Sequence, residues 1–527
     1  MTVTINRRQF LSTSLLAGIT VAGATALGGC AAPAKNAKEN LVDESGDAGA
    51  QAFDMEETCD IVVCGTGTAG TSAVARAVDL GAKVICLEKR TERGGTSQFT
   101  EGFACVNSSA TKKTGVEFDK QEAYLKIMEY EDWGSLSEPL RAYINMSGEA
   151  VDWVESKGVE VTPTNPILMS DEITYVNGTT VNGEYTLNGP GLNDPMWAFA
   201  ESTGKVDLRL ETSLTGLVIE DGQVKGAYAT DASGKVIRIN AKAVILATGG
   251  FCGNAEMVER YMNVPYDRFV FYGLDGREGD GIRFAIQAGA AMHAPSALMY
   301  TFGGAANTVE MNNVLNAAIA WEVHVTVNQD GKRFYNEGLA YTDPTNRNIA
   351  LLNQQAAYAI VDSAYIERMA AMGDIDYGSG KSTGDLLENL KSNPDCHKAD
   401  TLQALAQAIG VDYTNLEASV EAYNQCVKNR IDPEFNVMPD FLINSVTQAP
   451  FYAVRLKASS YTTLGGLASD GDMRVLNEQM SPIVGLFACG TDNGSLYYRD
   501  YPMSVFGGLG QGWCLTSGYL AANAACM

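Results

Sequence analysis

The chain has 527 residues, 46% hydrophobic and 19% charged, enough for a large globular core and more than one domain. Its 38 basic against 63 acidic side chains leave a formal charge of −25, which excludes the basic footprint of a nucleic-acid binder and argues against a helix seeking anionic lipid. There are three histidines and no Cys-x-x-Cys pair, so no metal site and no thioredoxin-type centre is expected.

Residues 1–30 hold no Asp or Glu, and Arg7-Arg8 precede an apolar run from Phe10 to Leu27. This is the form of a twin-arginine export signal. Leu27-Gly28-Gly29-Cys30 has the form of a lipobox, making Cys30 the expected lipid attachment point. The mature chain is then expected at the outer face of the cytoplasmic membrane, or free in the periplasm or outside the cell. Residues 31–57 are small and acidic and read as a flexible tether.

Asp60 to Cys64 is a short β-branched run, the pattern of a buried parallel strand. Gly65-Thr66-Gly67-Thr68-Ala69-Gly70 follows at once, then apolar residues at helical spacing as far as Leu80, with Gly81 as the stop. Lys83 to Leu87 is a second strand, ending at Glu88. In this βαβ setting Gly65 permits the tight turn and Gly67 admits a pyrophosphate. Gly70 lets helix and strand touch, and Glu88 accepts from ribose hydroxyls. The helix N-terminus offers its free N–H groups to the phosphates.

Further on, Arg93-Gly94-Gly95-Thr96-Ser97 has the small residues needed to wrap a flavin's pyrophosphate and ribityl chain. Ala243 to Gly250 is another buried strand ending in small residues, and Gly485 to Gly490 repeats that pattern. With Gly279-Asp280-Gly281-Ile282 and Gly331-Lys332-Arg333-Phe334-Tyr335-Asn336-Glu337, these ordered blocks resemble the fumarate reductase/succinate dehydrogenase flavoprotein family. The likeness is to its single-chain branch, with urocanate reductases and 3-ketosteroid dehydrogenases.

The resemblance implies an α/β fold: a Rossmann-like FAD-binding domain (residues 55–295 and 462–527) with an inserted α+β capping domain (296–461). It implies FAD as cofactor. By motif and position, its binding residues are Gly65, Gly67, Thr68, Ala69, Gly70, Glu88, Lys89, Gly94, Gly95, Thr96, Ser97, Val218, Ala247, Thr248, Gly249, Asp280, Gly490, Thr491 and Gly508. It also places the N-terminus of a C-terminal helix, beginning near Gln511, at the flavin's pyrimidine oxygen.

Fumarate reductases of this family hold a dicarboxylate with two histidines and an arginine and protonate it with another arginine. Here the corresponding positions carry Thr301-Phe302, Thr462, Tyr501 and the Leu339-Ala340-Tyr341 stretch. Fumarate and urocanate are therefore poor substrates on this reading. Tyr501-Pro502 and Tyr341 instead resemble tyrosines of the ketosteroid dehydrogenases. That likeness implies Tyr501 as donor to a substrate carbonyl and Tyr341 as proton donor to the α-carbon. Thr301, Thr462, Arg499 and Phe506 are expected around the substrate, with Arg499 able to anchor an anion.

The function expected is an FAD-dependent reductase of a conjugated C=C bond in an enone or a similar neutral or aromatic small molecule. It would serve as a terminal reductase of anaerobic respiration, with electrons from an outside donor such as a membrane cytochrome or quinol system. The alternatives are a 3-ketosteroid-type dehydrogenase running the reverse reaction and a reductase of unsaturated carboxylates. A non-catalytic flavin-binding lipoprotein is the third.

Overall fold

The computed structural model describes residues 51–99, 102–113, 115, 117–161, 191–308, 313–372, 384–502 and 505–527. The export signal, Cys30 and most of the tether lie outside the described residues. The tether reading ends earlier than residue 57, because Met55–Thr58 is a strand (β1). Its alternating half-buried and exposed residues pair in parallel with β7 (Val236–Asn240).

The nucleotide-side sheet follows the sequence pattern. Strands β2 (Ile61–Cys64) and β3 (Val84–Leu87) are buried along their whole length. Continuous burial on both faces is what an apolar, non-alternating run dictates. Helix α1 (Thr68–Asp79) crosses between them. Strand β4 (Val206–Arg209) extends the sheet beyond β3. A meander of β5 (Ser213–Glu220), β6 (Gln223–Thr230) and β7 forms a separate four-stranded sheet with β1, in the order β1-β7-β6-β5. The chain then returns as β8 (Ala243–Leu246) beside β2.

Residues 269–463 supply a second, seven-stranded sheet. Its spine is β9 (Phe451–Thr463), a 13-residue strand. This strand pairs antiparallel with Leu298–Tyr300, Gly304–Ala305, Ala357–Asp362 and Cys396–Ala399, and parallel with Phe269–Phe271. After it, β10 (Arg474–Leu476) and β11 (Pro482–Ala488) complete the first sheet, whose order is β10-β11-β8-β2-β3-β4. The C-terminal helix α2 (Leu509–Ala525) lies against α1. Contact this close needs small residues. A Cβ on Gly518 would stand 2.2 Å from the Ala69 carbonyl oxygen.

The first sheet thus draws on segments before residue 247 and after residue 473, and the second on residues between them. Two apolar clusters pack on either side of the first sheet, one with α1, α2 and Trp197, the other with the meander. Two further clusters fill the region of the second sheet. No helix among the described residues is long and apolar enough to cross a membrane.

Candidate active site

A single elongated pocket runs from the β2–α1 turn, past β8, to the end of β9 and the start of α2. The turn is as the glycine spacing requires. Gly65 has φ +110°, and a Cβ there would stand 2.2 Å from the Ala247 carbonyl oxygen on the neighbouring strand. A Cβ on Gly70 would stand 1.9 Å from the Gly65 carbonyl oxygen, so helix and turn touch backbone to backbone. Gly67 differs: a Cβ there would project toward Ser97 Oγ at 3.4 Å, into the groove rather than into protein backbone. Ser97 Oγ accepts from Thr68 N–H at 2.7 Å, tying the second glycine loop to the N-terminus of α1. Gly94 does not face the pocket. Its N–H donates to Thr66 Oγ1 at 3.1 Å, which shapes the loop that brings Gly95, Thr96 and Ser97 to the wall.

Glu88 lines the pocket and is 8% exposed. One carboxylate oxygen accepts from Thr66 N–H (3.1 Å) and Oγ1, the other from Arg90 N–H (3.0 Å). A carboxylate offers about four acceptor sites, so this fixed group still has capacity for a ribose hydroxyl. Lys89 pairs with Asp280 at 2.7 Å and Glu278 at 3.1 Å, closing the pocket rim. Ala247, Thr248, Gly249, Gly490, Thr491 and Gly508 also line it.

Asp492 is a group the sequence reading missed. Fully buried, it accepts from Thr248 N–H, Thr248 Oγ1 (2.8 Å) and Gly250 N–H (2.9 Å). It therefore locks the turn after β8 to the turn after β11. Burial nevertheless raises its pKa above the ordinary carboxylate value. The cue was present: it lies two residues beyond Gly490.

Val218 does not reach the pocket. It is buried in β5, paired with Gly226, while Thr212 and Leu214 hold the wall. The β5–β6 ladder shifts register twice, between Leu214 and Gly216 and between Val218 and Ile219.

At the other end, Tyr501 and Thr462 line the pocket. Gly510 N–H, in the first turn of α2, donates to the Tyr501 hydroxyl at 3.4 Å. Tyr497, Trp513, Phe302 and Tyr461 complete an aromatic wall, joined by the Met299 thioether. Four expectations fail here. Tyr341 stacks on Phe441 (centroids 5.5 Å apart) and hydrogen-bonds Glu322; it does not line the pocket. Thr301 is buried, with its hydroxyl against that of Ser459. Met299 and Phe302 take the wall instead. Phe506 is in the core, edge-on to Tyr143, and Gly507 and Gly508 take the wall. Arg499 lies over the Tyr130 ring and beside Asp500, on the side of the segment away from the pocket.

Behind Tyr501 sits a buried acidic pair. One oxygen of Glu131 accepts from the N–H groups of Tyr498 (2.9 Å) and Arg499 (2.8 Å), and burial pushes its pKa up to about 7. Asp500 accepts from the Tyr130 hydroxyl. These bonds fix the extended segment that carries Tyr497 and Tyr501.

The pocket suits a flavin dinucleotide by its own features. It has an open cradle at Gly67 beside a helix N-terminus, a fixed carboxylate at Glu88, and a small-residue passage along Gly95 to Ser97. It ends in a second helix N-terminus among aromatic rings.

Comparison with known proteins agrees. Residues 60–504 match the model of the FAD binding domain family. A vinyl phenol reductase of Lactiplantibacillus plantarum is 29% identical over 464 residues, covering 84% of this chain and 92% of that protein. A probable fumarate reductase of Shewanella frigidimarina is 28% identical, covering 84% of this chain and 71% of that protein. The open conformation of a flavocytochrome c3 fumarate reductase superposes with a TM-score of 0.70 at 26% identity, covering 89% of this chain and 78% of that one. The chain belongs to the FAD binding domain family and is an FAD-dependent oxidoreductase.

Proposed function

We propose that the protein reduces a carbon–carbon double bond conjugated to an oxygen-bearing group of a small molecule. The observation that carries this reading is Tyr501. Its hydroxyl stands at the pocket wall beside the first turn of α2, among aromatic rings, at the opposite end from the nucleotide cradle. When bound along residues 65–69, Glu88 and residues 95–97 and reduced, FAD would supply a hydride to one carbon of the double bond. Tyr501 donates a hydrogen bond to the substrate oxygen, where negative charge gathers as the hydride arrives. The nearby Gly510 N–H and the positive end of α2 reinforce that donor. Tyr497, Trp513 and Phe302 exclude water and present flat apolar surface to a conjugated or aromatic molecule. The names of the relatives, reductases of vinyl phenol and fumarate, support double-bond chemistry.

The test is anaerobic reoxidation of the dye-reduced holoenzyme, followed by flavin absorbance. The panel holds enones, ketosteroids, arylacrylates, urocanate and fumarate. Reoxidation by a conjugated alkene, lost in Tyr501→Phe, supports the reading. A reduced enzyme that no alkene reoxidises refutes it, and rapid reduction of the oxidised enzyme by a saturated ketone would point to the dehydrogenase direction.

An outside electron donor and export with a lipid anchor at Cys30 belong to the same proposal. They rest on Arg7-Arg8 and the segment ending in Cys30. Fractionation of cells carrying Cys30→Ala tests the anchor: the protein should leave the membrane fraction.

A further inference from the structure

Among the described residues, three on the pocket wall carry positive charge: Lys89, Arg90 and Arg277. Lys89 is neutralised by Asp280 and Glu278, and Arg90 faces Glu92 at 3.4 Å. Arg277 has no carboxylate in ion-pairing range among the described residues. Its guanidinium is held by backbone carbonyls alone: Nε donates to Leu274 at 3.0 Å, one terminal nitrogen to Tyr461, and the other to Tyr272 at 2.6 Å. These bonds fix the plane of the group without cancelling its charge. A guanidinium has five N–H donors, so one remains on each terminal nitrogen. That is the complement that suits the two oxygens of a carboxylate.

The place of Arg277 narrows the ligand. The phosphate cradle is centred on Gly67 and the start of α1, with Ser97 across from it, and Arg277 is separated from Thr96 of that loop by Gly273. Arg277 reaches toward the end of β9, bonding the carbonyl of Tyr461, whose neighbour Thr462 also lines the wall. Glycines make room for it: a Cβ on Gly249 would stand 3.4 Å from its Cγ, and one on Gly273 3.1 Å from a terminal nitrogen. Arg499, the anion anchor expected from the sequence, faces away.

We propose that Arg277 is the anchor for a substrate carboxylate, so that the substrate is a conjugated, aromatic unsaturated acid. This rests on the double-bond reading above and names its substrate class. The carboxylate sits on the guanidinium, and the aromatic wall takes the rest of the molecule. A hydride, which reduced flavin would supply, adds to one carbon and a proton drawn from solvent to the other, giving the saturated acid and oxidised flavin. Arg277 keeps its proton throughout; its part is binding and orientation.

The experiment uses the oxidised holoenzyme and saturated ligands, so it does not depend on reduction of an alkene. 3-Phenylpropanoate and its neutral amide, 3-phenylpropanamide, are titrated while the flavin absorbance spectrum is followed, with wild type, Arg277→Gln and Arg277→Lys. Wild type should bind the acid at least about tenfold more tightly than the amide, as expected for a charge-assisted pair. In Arg277→Gln the two should fall within about twofold of each other, and Arg277→Lys should retain part of the preference. Equal binding of acid and amide by wild type overturns the proposal. So does a preference that survives in Arg277→Gln, or a spectrum that neither ligand perturbs. A fall in the flavin-to-protein ratio of Arg277→Gln with the acid preference intact would assign the residue to the cofactor's phosphates and equally overturn it. Failure of the double-bond reading is seen separately: no alkene reoxidises the reduced enzyme, while the acid-over-amide preference stands.

Discussion

At the nucleotide end, a single stretch from Gly65 to Ser97 builds most of the pocket wall, with Glu88 in its middle. At the substrate end, the wall comes from Arg277, Met299, Phe302, Tyr461, Tyr497, Tyr501 and Trp513, which lie on segments far apart in the chain. The first end is fixed by local geometry: a strand, a turn that only glycine allows, and a helix start. The second is fixed by tertiary packing between remote segments. A site of the first kind is hard to alter without losing the ligand. One of the second kind exchanges side chains while the scaffold stands.

That contrast can be broken in graded steps. The largest effect is expected for Gly65→Ala, since φ +110° and a 2.2 Å approach to the Ala247 carbonyl leave no place for a methyl group. Strain of about 3 kcal/mol corresponds to a loss of roughly a hundredfold or more in FAD affinity, read as the flavin-to-protein ratio after gel filtration. Tyr501→Phe should keep its full flavin content and lose about a hundredfold in kcat, the usual scale for one donor to a developing oxyanion.

Glu131 offers a smaller and pH-dependent test. Its pKa is raised by burial to about 7, so its contribution to stability is fully present below the ordinary glutamate range and is lost as pH rises through 7. Glu131→Gln removes a titrating group while keeping an acceptor for Tyr498 and Arg499. Urea unfolding of the variant should therefore lose much of the decline in stability that the wild type shows between about pH 5 and 8. The smallest effects belong to Tyr341→Phe and Arg499→Ala, each expected to change kcat/KM by less than about threefold, because neither side chain meets the pocket. A hundredfold loss in Tyr341→Phe would mean that the second sheet closes on the substrate and brings that ring in.

The same contrast explains what was legible in the sequence. Gly65, Gly67, Gly70, Glu88 and the small residues after β8 and β11 could be read because motif and fold share one local span. Val218 and Thr301 are expected at the site only by likeness to family blocks, and position in a block does not say which way a side chain points; both neighbouring ladders also shift register. Arg499 and Phe506 sit on the segment that also carries Tyr501, but face away from the pocket; spacing along an irregular segment carries no orientation. Arg277 has no motif to reveal it, since its role comes from carbonyls supplied by remote segments, whereas Asp492 is marked only by its place two residues beyond Gly490. Tyr341 was assigned by likeness of a block, and that block has its own local task, packing a short helix onto Phe441.

The long strand β9 has a mechanical consequence. Thirteen residues at about 3.3 Å each span about 43 Å. One end is woven into the middle of the second sheet; the other carries Tyr461 and Thr462 to the pocket. A hinge needs residues free to change their torsion angles, and a strand laddered to five partners supplies few of them. The strand is therefore a connecting rod: displacement at one end is delivered to the other. Loading the pocket with FAD should slow amide exchange not only at its walls but also at Tyr452 to Val454, at the far end of the rod, a remote gauge of whether the cofactor is in place.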